Sequence, residues 1–194
     1  MARARTFDPM TLLDTAVELF WAKGYGNCSM DDVVAASGVA RYGIYQQFGD
    51  KNALYRAALS RYHEQAVTML NNALNTPNGG FSEICDYFAS LSASVEQGDR
   101  RGCLASQAAI DRAQDDPQVA DIVAEIMADL RAAFASAVAV GLARGELREL
   151  PPDDLVEFLV GLQRALATMM RTATPADEIQ RYSQVSLAML ARPD

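Results

Sequence analysis

The stretch from Ser29 to Lys51, SMDDVVAASGVARYGIYQQFGDK, constrains this chain more than any other. Ser29 can cap a helix, and Asp32, three residues on, puts a carboxylate where the helix dipole favours it. Val33, Val34, Ala36 and Ser37 keep that helix short, with a small apolar inner face. Gly38 ends it, since glycine takes the positive φ that a helix C-terminus often requires. Val39 packs under the turn, and a second helix begins near Ala40. Ile44 and Phe48, four residues apart, share its buried face. Arg41, Tyr42, Tyr45, Gln46 and Gln47 are left to point elsewhere. A helix this short, studded with Arg, Tyr and Gln, makes a poor core element and a good groove reader. The expectation is a helix-turn-helix.

At 194 residues, half of them apolar, the chain can bury a full core. Alanine and leucine dominate and helical spacing recurs, which points to an all-α fold. No apolar run approaches the roughly 20 residues that span a membrane. MARARTFDPM lacks the apolar segment of a secretory signal, so the expectation is cytoplasmic, without membrane association. The net charge of −8 is unevenly spread. Residues 1–61 hold seven Lys/Arg against six Asp/Glu, and the rest hold ten against nineteen. A near-neutral head on an acidic body fits a DNA-facing N-terminal part.

Arg3 and Arg5 precede the first helix and read either as a phosphate or minor-groove arm or as a solvated terminus. Asp8-Pro9 starts that helix as cap and first residue, and Gly24 stops it. Asp50 caps a helix from Lys51 to about Leu74, roughly 36 Å at 1.5 Å per residue. Thr76-Pro77-Asn78-Gly79-Gly80 is the clearest breaker. Five further helices follow: Phe81 to Glu96, Arg101 to about Ala113, Gln118 to Leu142, Asp153 to Thr172, and one from Thr174-Pro175 to Leu190. The apolar stripes of the last two, with Phe158, Leu162 and Leu166 on one and Tyr182 and Val185 on the other, fit either a core or a dimer interface; the dimer is favoured because helix-turn-helix proteins usually read two half-sites.

Gly38-Val39-Ala40-Arg41, Ile44-Tyr45-Gln46-Gln47-Phe48 and Lys51 resemble the DNA-binding domain of TetR/AcrR-type transcriptional regulators. Ala16, Leu19-Phe20, Gly24-Tyr25 and Ser29 match upstream in order and spacing. Tyr42 and Gln47 depart from the pattern, which has a small residue and commonly His there. The resemblance implies an N-terminal three-helix DNA-binding domain over residues 1–50 and a larger helical effector-binding and dimerisation domain over residues 51–194, about nine helices in all. It implies a homodimeric repressor on a palindromic double-stranded operator, released by a small-molecule effector, with no cofactor and no metal. Ser29, Arg41, Tyr42, Tyr45, Gln46, Gln47 and Lys51 would meet DNA. Tyr45 and Lys51 are assigned to phosphate, Arg41 suits a guanine edge or a phosphate, and Gln46 and Gln47 an adenine or the backbone. An effector pocket would draw on Met69, Phe88, Cys103, Gln107, Met127 and Met169, although methionines at helical spacing also serve as plain core.

Two other readings stay open. Cys103 follows Arg100, Arg101 and Gly102 near an expected helix start, where a thiolate is favoured, so a regulator sensing oxidants or electrophiles is one. The Gly-Cys-Leu arrangement resembles a family branch with such members; a buried inert thiol is the plainer alternative. The other is an all-α interaction module that does not bind DNA. Catalysis finds little support. His63-Glu64 lacks a second histidine, and the three cysteines show no metal-ligand spacing. Asp111, Asp115 and Asp116 read as solvated.

Overall fold

A computed structural model describes residues 7–76 and 79–193. Nine α-helices run through the described residues: α1 (Pro9–Asn27), α2 (Met30–Ser37), α3 (Arg41–Phe48), α4 (Lys51–Leu74), α5 (Phe81–Glu96), α6 (Leu104–Asp111), α7 (Pro117–Ala143), α8 (Pro152–Arg171) and α9 (Ala176–Ala188). The all-α expectation holds. Arg3 and Arg5 lie outside the described residues, as do Pro77 and Asn78 of the breaker.

The helices form two compact units. The first holds residues up to Gln65 together with Leu104–Ala124; the second holds Ala66–Cys103 and residues from Glu125 onward. By packing, therefore, α6 and the start of α7 join the N-terminal helices. α4 and α7 each contribute residues to both units.

In the first unit Asp8 caps α1, its carboxylate accepting from Met10 N at 3.1 Å and Thr11 N at 3.2 Å. Gly24 breaks the helical geometry (φ 76°, ψ 166°), and a last turn carries α1 on to Asn27 rather than stopping at the glycine. Leu12, Ala16, Val17 and Phe20 recur at helical spacing and are fully buried. Phe20 meets Tyr55 of α4 edge-on, centroids 4.9 Å apart, and Tyr25 meets Tyr55 at 5.0 Å. Rings of this size bury about 150–250 Å² each, and edge-to-face pairs add about 0.5–1.5 kcal/mol each.

In the second unit α5, α8 and α9 pack on one another. Phe88 stacks on Phe134 of α7, centroids 5.7 Å apart, with Tyr87 edge-on to both. Gly102 carries φ +66°, and a Cβ there would lie 2.4 Å from the Ala167 carbonyl oxygen, so only glycine lets the chain pass α8 this closely. α6 consequently begins at Leu104, three residues later than the spacing suggests. The chain leaving α9 is pinned by Arg148 N donating to Leu190 O and Arg192 N to Glu146 O, both 2.9 Å.

α7 serves as a core helix. Its 27 residues are long and apolar enough, by length and composition, to cross a membrane. In this fold Ile126, Met127, Leu130, Phe134 and Val138 are buried in the second unit's core. Asp121, Glu125 and Asp129 interrupt the apolar sequence without interrupting that stripe, since they fall on its exposed side.

Candidate nucleic-acid interface

Local chemistry builds the α2–turn–α3 pair. Ser29 has extended backbone (φ −88°, ψ 162°), and its Oγ accepts from Asp32 N at 3.1 Å. Asp32 answers by accepting from Ser29 N at 2.7 Å, completing a capping box. Lys23 of α1 donates to the same carboxylate at 2.6 Å. That hydrogen bond, with those from Ser29, holds the Asp32 pKa far below the ordinary carboxylate range. Gly38, with φ 68°, closes α2 by donating its N–H to Val34 O at 3.0 Å. Val39 N donates to Ser37 Oγ at 3.2 Å, which fixes the turn.

α3 then presents two sides. Ile44 is 1 % exposed and anchors the helix, while Phe48 is half-buried at its end. Arg41, Tyr42, Tyr45 and Gln46 are exposed, Tyr42 at 77 %. Gln47 is half-buried at the edge of that surface. Arg41 is ion-paired with Asp31 of α2, whose carboxylate raises the guanidinium pKa above its ordinary value, Tyr45 adding to the effect. A guanidinium has five N–H donors in a planar fork, so one carboxylate partner orients it and leaves donors for an acceptor beyond. Asp31 is the member of this surface that reading one helix at a time misses. Its signal is the acid in the first turn of α2 facing a base in the first turn of α3.

Lys51 is placed differently from the exposed group. Its ammonium donates to Tyr25 O at 2.7 Å and sits 4.2 Å from the Tyr25 ring centroid. One of its three donors thus ties the start of α4 to the end of α1. Arg112 stacks on the same ring, with its Cζ 4.5 Å from the centroid. Tyr25 donates its hydroxyl to Asn52 Oδ1, and Arg112 donates to that oxygen at 3.4 Å. Burial, with Asp111 nearby, raises the pKa of the Tyr55 phenol beside this cluster.

Asp116 also corrects an expectation, for it is buried rather than solvated, 7 % exposed. Its carboxylate accepts from Arg56 at 3.0 Å, lies 3.8 Å from Arg112, and caps α7 by accepting from Gln118 N at 3.1 Å and Val119 N at 3.3 Å. The α6–α7 connection is thereby bolted to the start of α4, within the unit that carries α2 and α3.

The effector-pocket candidates stand in different settings. Met69 is 52 % exposed on α4 and Met169 half-buried on α8. Phe88 and Met127 are closely packed core. Gln107 is buried in the first unit, donating to Trp21 O at 3.4 Å. Cys103, 7 % exposed, directly precedes α6 in sequence. Burial raises the pKa of the nearby Tyr87 phenol, with Cys103 adding to the effect and a hydrogen bond from Gln163 opposing it. Arg100 donates to Thr174 O at 2.9 Å, and Arg101 pairs with Asp99 at 2.7 Å.

Residues 12–58 match the family model of bacterial regulatory proteins, tetR family, and residues 80–185 match that of the tetracyclin repressor-like C-terminal domain. The second match alone spans more than half of the chain. The chain belongs to the TetR family. It is a helix-turn-helix transcriptional regulator, with its α2–α3 pair inside the first match. This TetR-family chain is 26 % identical over 193 residues to an uncharacterised HTH-type transcriptional regulator, YezE, of Bacillus subtilis, covering 98 % of this chain and 100 % of the other. It is 25 % identical over 193 residues to the HTH-type transcriptional repressor ComR of Escherichia coli, covering 96 % and 90 %. Among solved structures, the TetR family transcriptional regulator CifR, as a cysteine mutant complexed with 26 bp double-strand operator DNA, superposes with a TM-score of 0.82 at 23 % identity, covering 97 % of this chain and 100 % of that one. A TetR-family regulator from Agrobacterium tumefaciens superposes at 0.84 with 16 % identity, covering 93 % and 96 %.

Proposed function

We propose that this TetR-family protein is a cytoplasmic homodimeric repressor that holds a palindromic double-stranded operator through α2 and α3 and leaves it when a small molecule binds the body. The observation that carries the reading is the division of α3. Ile44 locks the helix to its unit, while Arg41, Tyr42, Tyr45 and Gln46 stand exposed together on a helix whose partner is capped at both ends. A short rigid helix with this polar set suits the major groove. Ser29 at the start of α2 and Lys51 at the start of α4 sit where helix N-terminal amides favour phosphate. ComR, named a repressor, and CifR, solved on operator DNA, support the assignment.

The dimer rests on α8 and α9. Phe158, Tyr182, Val185 and Met189 are 41 %, 48 %, 57 % and 63 % exposed; Tyr182 and Val185 fall on one edge of α9, and Met189 directly follows that helix. Clustered large apolar side chains in water mark an association surface. Two such protomers would present two α3 helices to half-sites about 34–36 Å apart. Residues 1–50 then read DNA and residues 51–194 bind effector and mate, with α4 common to both tasks. An effector acts only if it binds the DNA-competent and DNA-released forms unequally.

The test is fluorescence anisotropy with duplexes tiled across the promoter of the protein's own gene, over a salt series, beside light scattering for mass. A dimer that binds one palindrome tightly, and loses that affinity on Arg41→Ala, is the expected result. No sequence-selective duplex at low salt, or binding indifferent to Arg41→Ala, overturns it.

A further inference from the structure

α5 and α9 enclose a half-open cavity of about 380 Å³. That lies at the lower end of the range for drug-sized ligands, about 300–1,000 Å³. The walls are Phe81 and Ala89 from α5 and Leu187 and Ala188 from α9, with the amides of Gln180 and Gln184 at the rim. None of these is among the effector-pocket residues expected from the sequence. In α9 the positions 180, 184 and 188 form one edge, distinct from the edge that carries Tyr182 and Val185 and leads into Met189. The cavity therefore abuts the helix of the proposed dimer surface on that helix's other side.

Three features define what fits. Ser92 lines the cavity and is 4 % exposed, yet its hydroxyl has no hydrogen-bond partner among the described residues. A buried hydroxyl in that state costs free energy, which a turn of the Ser92 side chain toward a ligand donor or acceptor would recover. Among the described residues the only formal charge in the lining is the Asp86 carboxylate, with no Lys, Arg or His to receive an anion. Burial, with Asp86 beside it, raises the Cys85 thiol pKa, so this cysteine stays a neutral polar wall.

The geometry points to the α5–α9 cavity as a binding site for a small apolar molecule, neutral or cationic, that carries one hydrogen-bonding head for Ser92. As an effector site it rests on the function proposed above; as a binding site it does not. Occupancy would press on α9 from the edge opposite Tyr182, Val185 and Met189, so the bound form would couple to dimer geometry.

The probe is N-phenyl-1-naphthylamine, an uncharged fluorophore with one N–H, titrated into the full-length protein. Its sulfonated analogue 1-anilinonaphthalene-8-sulfonate has the same apolar body and an added negative charge. The neutral probe should bind with enhanced fluorescence, and the anionic one about tenfold or more weaker. Asp86→Asn should narrow that gap. Ala89→Phe and Ala188→Phe, at exposed positions that fill the cavity, should abolish the signal while circular dichroism stays unchanged; Ser92→Ala should weaken binding about 3–10-fold. The site is refuted if the neutral probe does not bind, if both filled variants bind it as the parent does, or if the anion binds equally well. Anisotropy on operator with and without probe is read separately. Probe binding with no change in operator affinity keeps the site and removes its effector role, whereas absent operator binding strikes only the function proposed above.

Discussion

Asp116 accepts the Arg56 guanidinium at 3.0 Å across 60 residues of sequence, and the same carboxylate caps α7. Asp116→Ala removes both roles and strands a half-buried arginine. Breaking one side of such a pair, discounted for the partial exposure of Arg56, should cost about 2–4 kcal/mol. Urea denaturation followed by far-UV circular dichroism measures it. Asp116→Asn, which keeps a capping oxygen, should lose less.

Arg41 and Asp31 make opposite predictions on DNA. Arg41→Ala should weaken the operator complex by about 1–3 kcal/mol, roughly 5–150-fold. Asp31→Asn releases the guanidinium from its carboxylate and removes a negative charge from the DNA-facing side. Non-specific binding should then tighten and selectivity fall. Anisotropy against operator and scrambled duplexes over a salt series separates affinity from selectivity.

The apolar edge of α9 predicts quaternary structure. Val185→Asp puts a charge in the centre of the proposed dimer surface, where desolvating it without a partner is costly. Light scattering should show the protomer mass in place of the dimer's, with operator affinity falling because one half-site is held at a time. A dimer of unchanged stability would remove α9 from the interface.

Gly102→Ala should destabilise the second unit by about 1–3 kcal/mol, because the left-handed backbone and the nearby Ala167 carbonyl both oppose a Cβ. A lowered thermal midpoint, with operator affinity per folded protein unchanged, is the expected outcome.

Asp32 predicts an acid limb. Its folded pKa lies below the ordinary 3.8, first through Lys23 and then through Ser29. The carboxylate's contribution is therefore present above pH 3.8 and is lost as pH falls below it toward the folded value. Melting temperature measured from pH 6 down to pH 2.5 should fall less steeply in Asp32→Asn than in the parent.

Whatever acts within one or two turns of chain was legible in advance. Ser29 with Asp32, the Gly38 stop, Ile44 as the anchor of α3 and the span of α4 from Lys51 to Leu74 follow from caps, backbone conformation and the 3.6-residue period. So did the exposure of Arg41, Tyr42, Tyr45 and Gln46, because Ile44 can be buried only if those positions turn away. Residues whose partners lie far along the chain were not legible. Asp116 reads as one of several solvated acids until the fold sets it against Arg56. Met69 reads as pocket lining or as core until α4 turns it outward.

The amino-acid sequence by itself determined that this protein has a helix-turn-helix in an all-α chain, because helix starts, stops and faces are local properties. Tertiary structure alone decided that α6 and the start of α7 pack with the DNA-reading helices, that Arg41 is held by Asp31, and that a cavity opens between α5 and α9. Each of these is set by which surfaces meet in space, and no periodicity along one helix specifies its partner.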